Sequence, residues 1–259
     1  MGKSDILIFM SDQHAGSYAG FAGDKIVDTP NLDELSSSGT TFDNAYTSCP
    51  LCVPARTSML TGQLPIRTGV YTNSGGIPED QATFLHSIAA EGYETVLIGR
   101  MHFLGDDQRH GFTKRLVGDF SPMYWGRDAM NREDFGDFNG THYVGQCLNV
   151  IGGGTSPVIE YDEAVIEAAL EYLGQDHEKP QCILVGTYQP HFPYVAPKEY
   201  YEYYRKRVQL PESMKNKPNH RHPAMIHKEQ HVSEETILNA RAAYYGMITN
   251  MDQQIGQVK

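Results

Sequence analysis

Cys52 is the residue best placed for chemistry, because it leads the stretch Val53-Pro54-Ala55-Arg56-Thr57-Ser58-Met59-Leu60-Thr61-Gly62. Pro54 suits the first turn of a helix, predicted over residues 55–61 and ended by Gly62. A nucleophile just before it would lie at a helix N-terminus, whose free amides favour a bound anion. Arg56, within a turn of Cys52, offers a planar fork of donors for an anionic group. Asp12 comes after an apolar run, Ile6 to Met10, and suits a hard divalent cation. Arg100 and His102 come after a second apolar run, and on an extended segment they project to the same side. His191, in Gln189-Pro190-His191-Phe192-Pro193, comes after a third run; an imidazole there suits proton transfer.

Cys49-Pro50-Leu51-Cys52 can also be read as a redox or zinc pair. Zinc needs a second pair of ligands, and Cys147 and Cys182 stand far apart in sequence. Neither use accounts for Arg56 or for Leu60-Thr61-Gly62. Cys147 and Cys182 are simplest as small buried hydrophobes.

The elements that must carry these groups alternate. Strands are predicted at 6–10, 95–98 and 182–186. Helices are predicted from Thr29-Pro30 to Ser38, from Ala82 to Glu91, from an Asp162 cap to Leu173, and from Ser233 onward. Such alternation gives an α/β fold with a mostly parallel sheet covered on both faces. Asp12, Arg100 and His191 then all leave carboxyl ends of strands, where such sheets bind ligands. Periodicity fades over 118–157, which reads as an insertion over the sheet, with Tyr124 and Trp125 as a candidate cation–π pair. A second irregular stretch, Pro211 to His231, holds His220, His222, His227 and His231, read as surface or insertion residues.

The Cys52–Gly62 stretch fills every fixed position of the signature of the type I sulfatases, which it resembles. Thr29 to Gly39, Phe42-Asp43-Asn44-Ala45-Tyr46 and Ile98 to Phe103 are similar to neighbouring family elements. Together with Asp107-Gln108-Arg109-His110-Gly111-Phe112 they look closest to the choline-sulfatase-like branch. The resemblance implies the alkaline-phosphatase-like α/β/α sandwich and hydrolysis of a sulfate ester. It further implies conversion of Cys52 to Cα-formylglycine by a formylglycine-generating maturase. One hydroxyl of the hydrated aldehyde attacks sulfur, and the other is later deprotonated to expel sulfate as the aldehyde reforms. Asp12 and the modified Cys52 become metal ligands, with calcium as the expected ion and magnesium or manganese as alternatives. Arg56, Arg100 and His102 polarise the sulfate and the diol, and His191 assists departure of the alcohol. Arg100 stands where the family usually has lysine, and Ser11 where it often has a first aspartate. The lone aspartate is shared with phosphonate monoester and phosphodiester hydrolases of the same superfamily, the nearest alternative. A non-catalytic relative with an unmodified cysteine is the other.

The formal charge of −11 excludes nucleic acid as an expected partner, so an anionic substrate must be held by a local cluster of cations. No run approaches the ~20 apolar residues of a membrane helix, and no cleavage site succeeds Ile6 to Met10, so the expected location is cytoplasmic. The helix from Ser233 runs to Lys259 without a clear stop, so residues 1–259 are expected to be the N-terminal part of one catalytic domain.

Overall fold

A computed structural model describes residues 2–119, 148, 150–214 and 232–259. Four strands, β1 (Ile6–Met10), β2 (Glu94–Gly99), β3 (Lys114–Arg115) and β5 (Gln181–Gly186), form one sheet in the order β1-β5-β2-β3. Every neighbouring pair is parallel. β4 (Ile151–Gly153) and β6 (Tyr194–Ala196) make a separate parallel pair.

Alternation along the strands feeds two cores. Val96, Ile98, Ile183 and Val185 face α5 (Pro157–Leu173), where they meet Val158, Tyr161, Val165 and Ala169. Leu97, Cys182 and Leu184 point the other way, toward Leu60 of α2 (Cys52–Thr61), which the short α3 (Pro65–Thr68) follows, and Leu85 of α4 (Phe84–Ala90). The sheet is therefore covered on both faces, as a parallel sheet must be. A third cluster joins α6 (Lys198–Arg205) to α7 (Glu234–Val258) through Tyr204, Ala242, Tyr245 and Ile248. Among the described residues no helix is long and apolar enough to cross a membrane.

Register decides where the site falls. Met10 and Gly99 both pair with Gly186, so β1, β2 and β5 end level with one another. A Cβ on Gly186 would collide with the Arg100 carbonyl, and Arg100 N donates to Gly186 O at 2.8 Å. Only a glycine lets the chain leaving β2 pass so close to the end of β5.

Several helix starts differ from expectation. α2 begins at Cys52 itself, so Pro54 occupies its third position. α1 (Pro30–Ser38) is not capped by Thr29. The Thr29 hydroxyl accepts from Gly20 N at 2.8 Å and donates to Asp33. The α1 amides of Asn31 and Leu32 donate instead to Asp252 of α7, at 3.1 and 2.8 Å. α5 starts at Pro157 with Ser156 as its cap in place of the expected Asp162, because Ser156 accepts from Ile159 N and Pro157 takes the first position. The expected 118–157 insertion thus contains β4 and the start of α5, while Tyr124, Trp125 and Cys147 lie outside the described residues. In the second irregular stretch a 3₁₀ turn, Glu212–Met214, is described, and His220, His222, His227 and His231 lie outside.

Candidate functional site

Asp12 sits two residues past β1, 5% exposed, and its Oδ2 accepts from Nη2 of Arg56 at 3.1 Å and from Nε of Arg100. Burial alone would discourage ionisation, but Arg100 and Arg56 overcome it and hold the carboxyl far below its usual range. The other oxygen, Oδ1, faces Cys52, whose Sγ lies 3.8 Å away. A ring nitrogen of His191 completes the group: it, the Cys52 sulfur and an Asp12 oxygen all lie within 4.8 Å of one another.

Cys52 opens α2, behind an N-cap (Leu51) with no side-chain acceptor. Burial first, then the Asp12 charge, push its thiol up, with Arg100 and Arg56 in partial opposition. Such a sulfur stays protonated, whereas direct nucleophilic or redox use needs the thiolate. Cys49 and Cys52 are both free thiols. The environment therefore argues against a C-x-x-C redox pair.

Arg56 is 6% exposed and spreads its donors across the site. Nη1 reaches the Arg100 carbonyl at 3.1 Å and the sulfurs of Met10 and Met101 at 3.1 and 3.4 Å. Arg100 is 1% exposed, and its fork is spent on the protein: Nε on Asp12, Nη1 on Asp119 Oδ1 at 3.1 Å, Nη2 on His102 Nδ1 at 3.0 Å. Its guanidinium also stacks 4.2 Å over the Tyr188 ring. A lysine could not span these partners.

His102 meets Arg100, though not through an extended segment: its φ is +56°, in the left-handed region. Burial and the Arg100 charge hold its imidazole down at about 3, so it is neutral at ordinary pH. His191 is likewise lowered by burial, with Asp12 pulling the other way. Its Nδ1 donates to the Phe192 carbonyl at 2.8 Å, which in the neutral ring leaves the lone pair on Nε2.

All six expected residues thus converge, and two carboxylates the sequence reading missed support them. Asp119 accepts from Arg100, Met101 N and His102 N. Asp162, completely buried, accepts from Tyr188 N at 2.6 Å and Gln189 N at 2.9 Å, and so anchors the turn leading to His191. Asp119 stands at the edge of the expected insertion, and the Asp-Glu start at Asp162 imitates a helix cap.

The donor set fits one side of a hard-cation site. Asp12 is kept ionised with one oxygen turned to position 52, where an aldehyde-derived oxygen would suit such an ion better than a thiol does. Calcium takes roughly 6–8 oxygens, more than these residues supply.

A parallel sheet covered on both faces carries a buried carboxylate, two guanidiniums and a helix N-terminus at its strand ends, an arrangement that defines an α/β fold with an anion-handling site. The fold is the alkaline-phosphatase-like sandwich, shared with the crystal structure of a phosphonate monoester hydrolase of Agrobacterium radiobacter. That match has a TM-score of 0.71 at 18% identity and covers 99% of this chain and 58% of the other. The chain belongs to the sulfatase family, whose model matches residues 4–259. It is 34% identical over 280 residues to a choline-sulfatase of Rhizobium meliloti, covering 99% of this chain and 53% of that protein. It is 28% identical to an arylsulfatase of Clostridium perfringens, covering 98% and 58%. The chain spans about half the length of these curated relatives.

Proposed function

We propose that the protein hydrolyses a sulfate ester to an alcohol and inorganic sulfate, with Cys52 acting after conversion to formylglycine. The observation that carries this reading is the convergence of Asp12, Cys52 and His191 within 4.8 Å, with both guanidiniums on the same carboxylate. Family membership supports it, and so does the protonated thiol, which suits a precursor better than a working nucleophile.

Asp12 and the modified position 52 would hold a divalent cation, calcium by preference, which supplies Lewis-acid stabilisation of charge on the sulfate. Arg56 orients position 52 and balances the charge of the bound anion. His102, a neutral ring whose Nδ1 accepts from Arg100, carries its hydrogen on Nε2 and donates a hydrogen bond to the hydroxyls at position 52. His191, whose neutral ring leaves a lone pair on Nε2, takes a proton there as the attacking hydroxyl adds to sulfur and delivers it to the departing alcohol oxygen as the sulfur–oxygen bond breaks. The same lone pair then receives the proton of the remaining hydroxyl as sulfate leaves. Arg100, almost wholly enclosed, acts through Asp12 and His102.

The relative named choline-sulfatase makes choline sulfate the first ester to assay, beside an aryl sulfate. The modification is tested by a peptide mass spectrum across Cys52 of protein purified from its own cells. The expected result is aldehyde in place of thiol; an intact cysteine in protein exposed to the maturase would support the non-catalytic reading.

A further inference from the structure

Asp119 belongs to none of the expected motifs, yet its side chain is 1% exposed and its contacts with Arg100, Met101 and His102 all serve the site. Oδ1 receives Nη1 of Arg100 at 3.1 Å, and Oδ2 receives the amides of Met101, at 3.1 Å, and His102. Those two amides frame the residue with φ +56°, a left-handed conformation that costs a residue other than glycine energy and that the two hydrogen bonds to Asp119 help to hold. Arg100 is in turn the donor to Asp12 and to the His102 ring. The charges agree with the geometry. Arg56, Arg100 and Arg115, whose Nη2 lies 3.9 Å from Asp119, gather around the two carboxylates of Asp12 and Asp119.

We propose that Asp119 is a positioning residue for the reaction: it fixes Arg100 and the His102 backbone, and through them sets the direction of the Asp12 carboxylate and the His102 ring. It touches neither substrate nor metal. The inference rests on the sulfate-ester reading above. The role needs a carboxylate, since one oxygen must take the guanidinium while the other takes two amides. An asparagine in the same place offers a single acceptor oxygen, and its amide hydrogens would face the remaining donors. The expected consequence is an Arg100 that swings away from Asp12 and a His102 that leaves its left-handed conformation.

The test compares wild type with Asp119→Asn in the full-length, matured enzyme, each checked for aldehyde content at position 52 and for melting temperature. Turnover is measured on the best sulfate ester of the wild type. Loss of such an outer partner costs roughly 10–100-fold, and it is expected in kcat with KM changed less than about threefold, because uniform substrate binding is untouched. A folded, matured variant with kcat within about twofold of wild type would overturn the proposal, and so would a change confined to KM. Should Asp119→Asn fail to fold, Arg100→Lys is read instead. Lysine keeps a charge beside Asp12 but cannot also reach Asp119, so kcat must fall; unchanged kcat would overturn the proposal. If the wild type itself turns over no sulfate ester, it is the functional reading that fails.

Discussion

Replacing Asp162 with asparagine separates two opposed effects of one buried carboxyl. Asp162 is fully enclosed, and burial pushes its carboxyl from 3.8 up to about 7, against the pull of the Tyr188 and Gln189 amides. The unfolded chain releases this proton near 3.8, while the folded protein keeps it until about 7. The folded state therefore binds more protons in that window, and this group's contribution to stability is lost as pH rises through it. At ~1.4 kcal/mol per unit the whole effect is roughly 4 kcal/mol, and more than half of it falls between about pH 5 and about pH 8. Asparagine has no proton to lose, but it has one acceptor oxygen for two amides, which costs about 1–3 kcal/mol at any pH. Asp162→Asn should therefore be less stable than wild type at about pH 5, then recover roughly 2–3 kcal/mol relative to it by about pH 8. Urea unfolding of both proteins at the two pH values measures the difference directly. A wild-type-minus-variant gap that stays constant within about 1 kcal/mol would mean instead that the two amides keep Asp162 ionised across this range.

Two further predictions concern the neighbouring segments. Gly186→Ala places a Cβ against the Arg100 carbonyl at the end of β5, so melting should fall by the equivalent of about 1–3 kcal/mol, with activity falling further because Arg100 shifts. A variant that melts like wild type would show that the strand ends can part without cost. His102 is held at about 3 against 6.5 when unfolded, so its contribution is present above 6.5 and lost as pH falls toward 3. His102→Asn should flatten the acid side of the stability profile in thermal melts, and an unchanged acid slope would show that another group sets it.

Much of this architecture was legible in the sequence, for definite reasons. Continuous apolar runs mark strands buried on both faces, and groups just past such strands meet at one end of a parallel sheet. That rule alone gathers Asp12, Arg100 and His191. The Cys52 stretch carries its own helix start and its own arginine. What sequence could not show was the support behind those residues. β3, β4 and β6 are two or three residues long, too short for any period to register. Asp162 with Glu163 beside it looks like a cap, yet its carboxylate works across space, 26 and 27 positions away. Asp252 likewise caps α1 from the far end of the chain, which left Thr29 free for Gly20 and Asp33. Long-range acceptors of this kind have no local signature. The left-handed His102 had none either, because the hydrogen bonds that help to hold its conformation go to Asp119.

Hydrolysis of a sulfate ester is the proposed work of the site at the strand ends. Its most direct test is turnover by the matured, full-length protein, with metal supplied, on an aryl sulfate, an aryl phosphonate monoester and an aryl phosphate diester under one set of conditions. The largest kcat/KM is expected for the sulfate, with its loss in Cys52→Ala. A sulfate turned over orders of magnitude more slowly than the phosphonate or the diester would contradict that proposal, and would assign the same residues to phosphoryl chemistry.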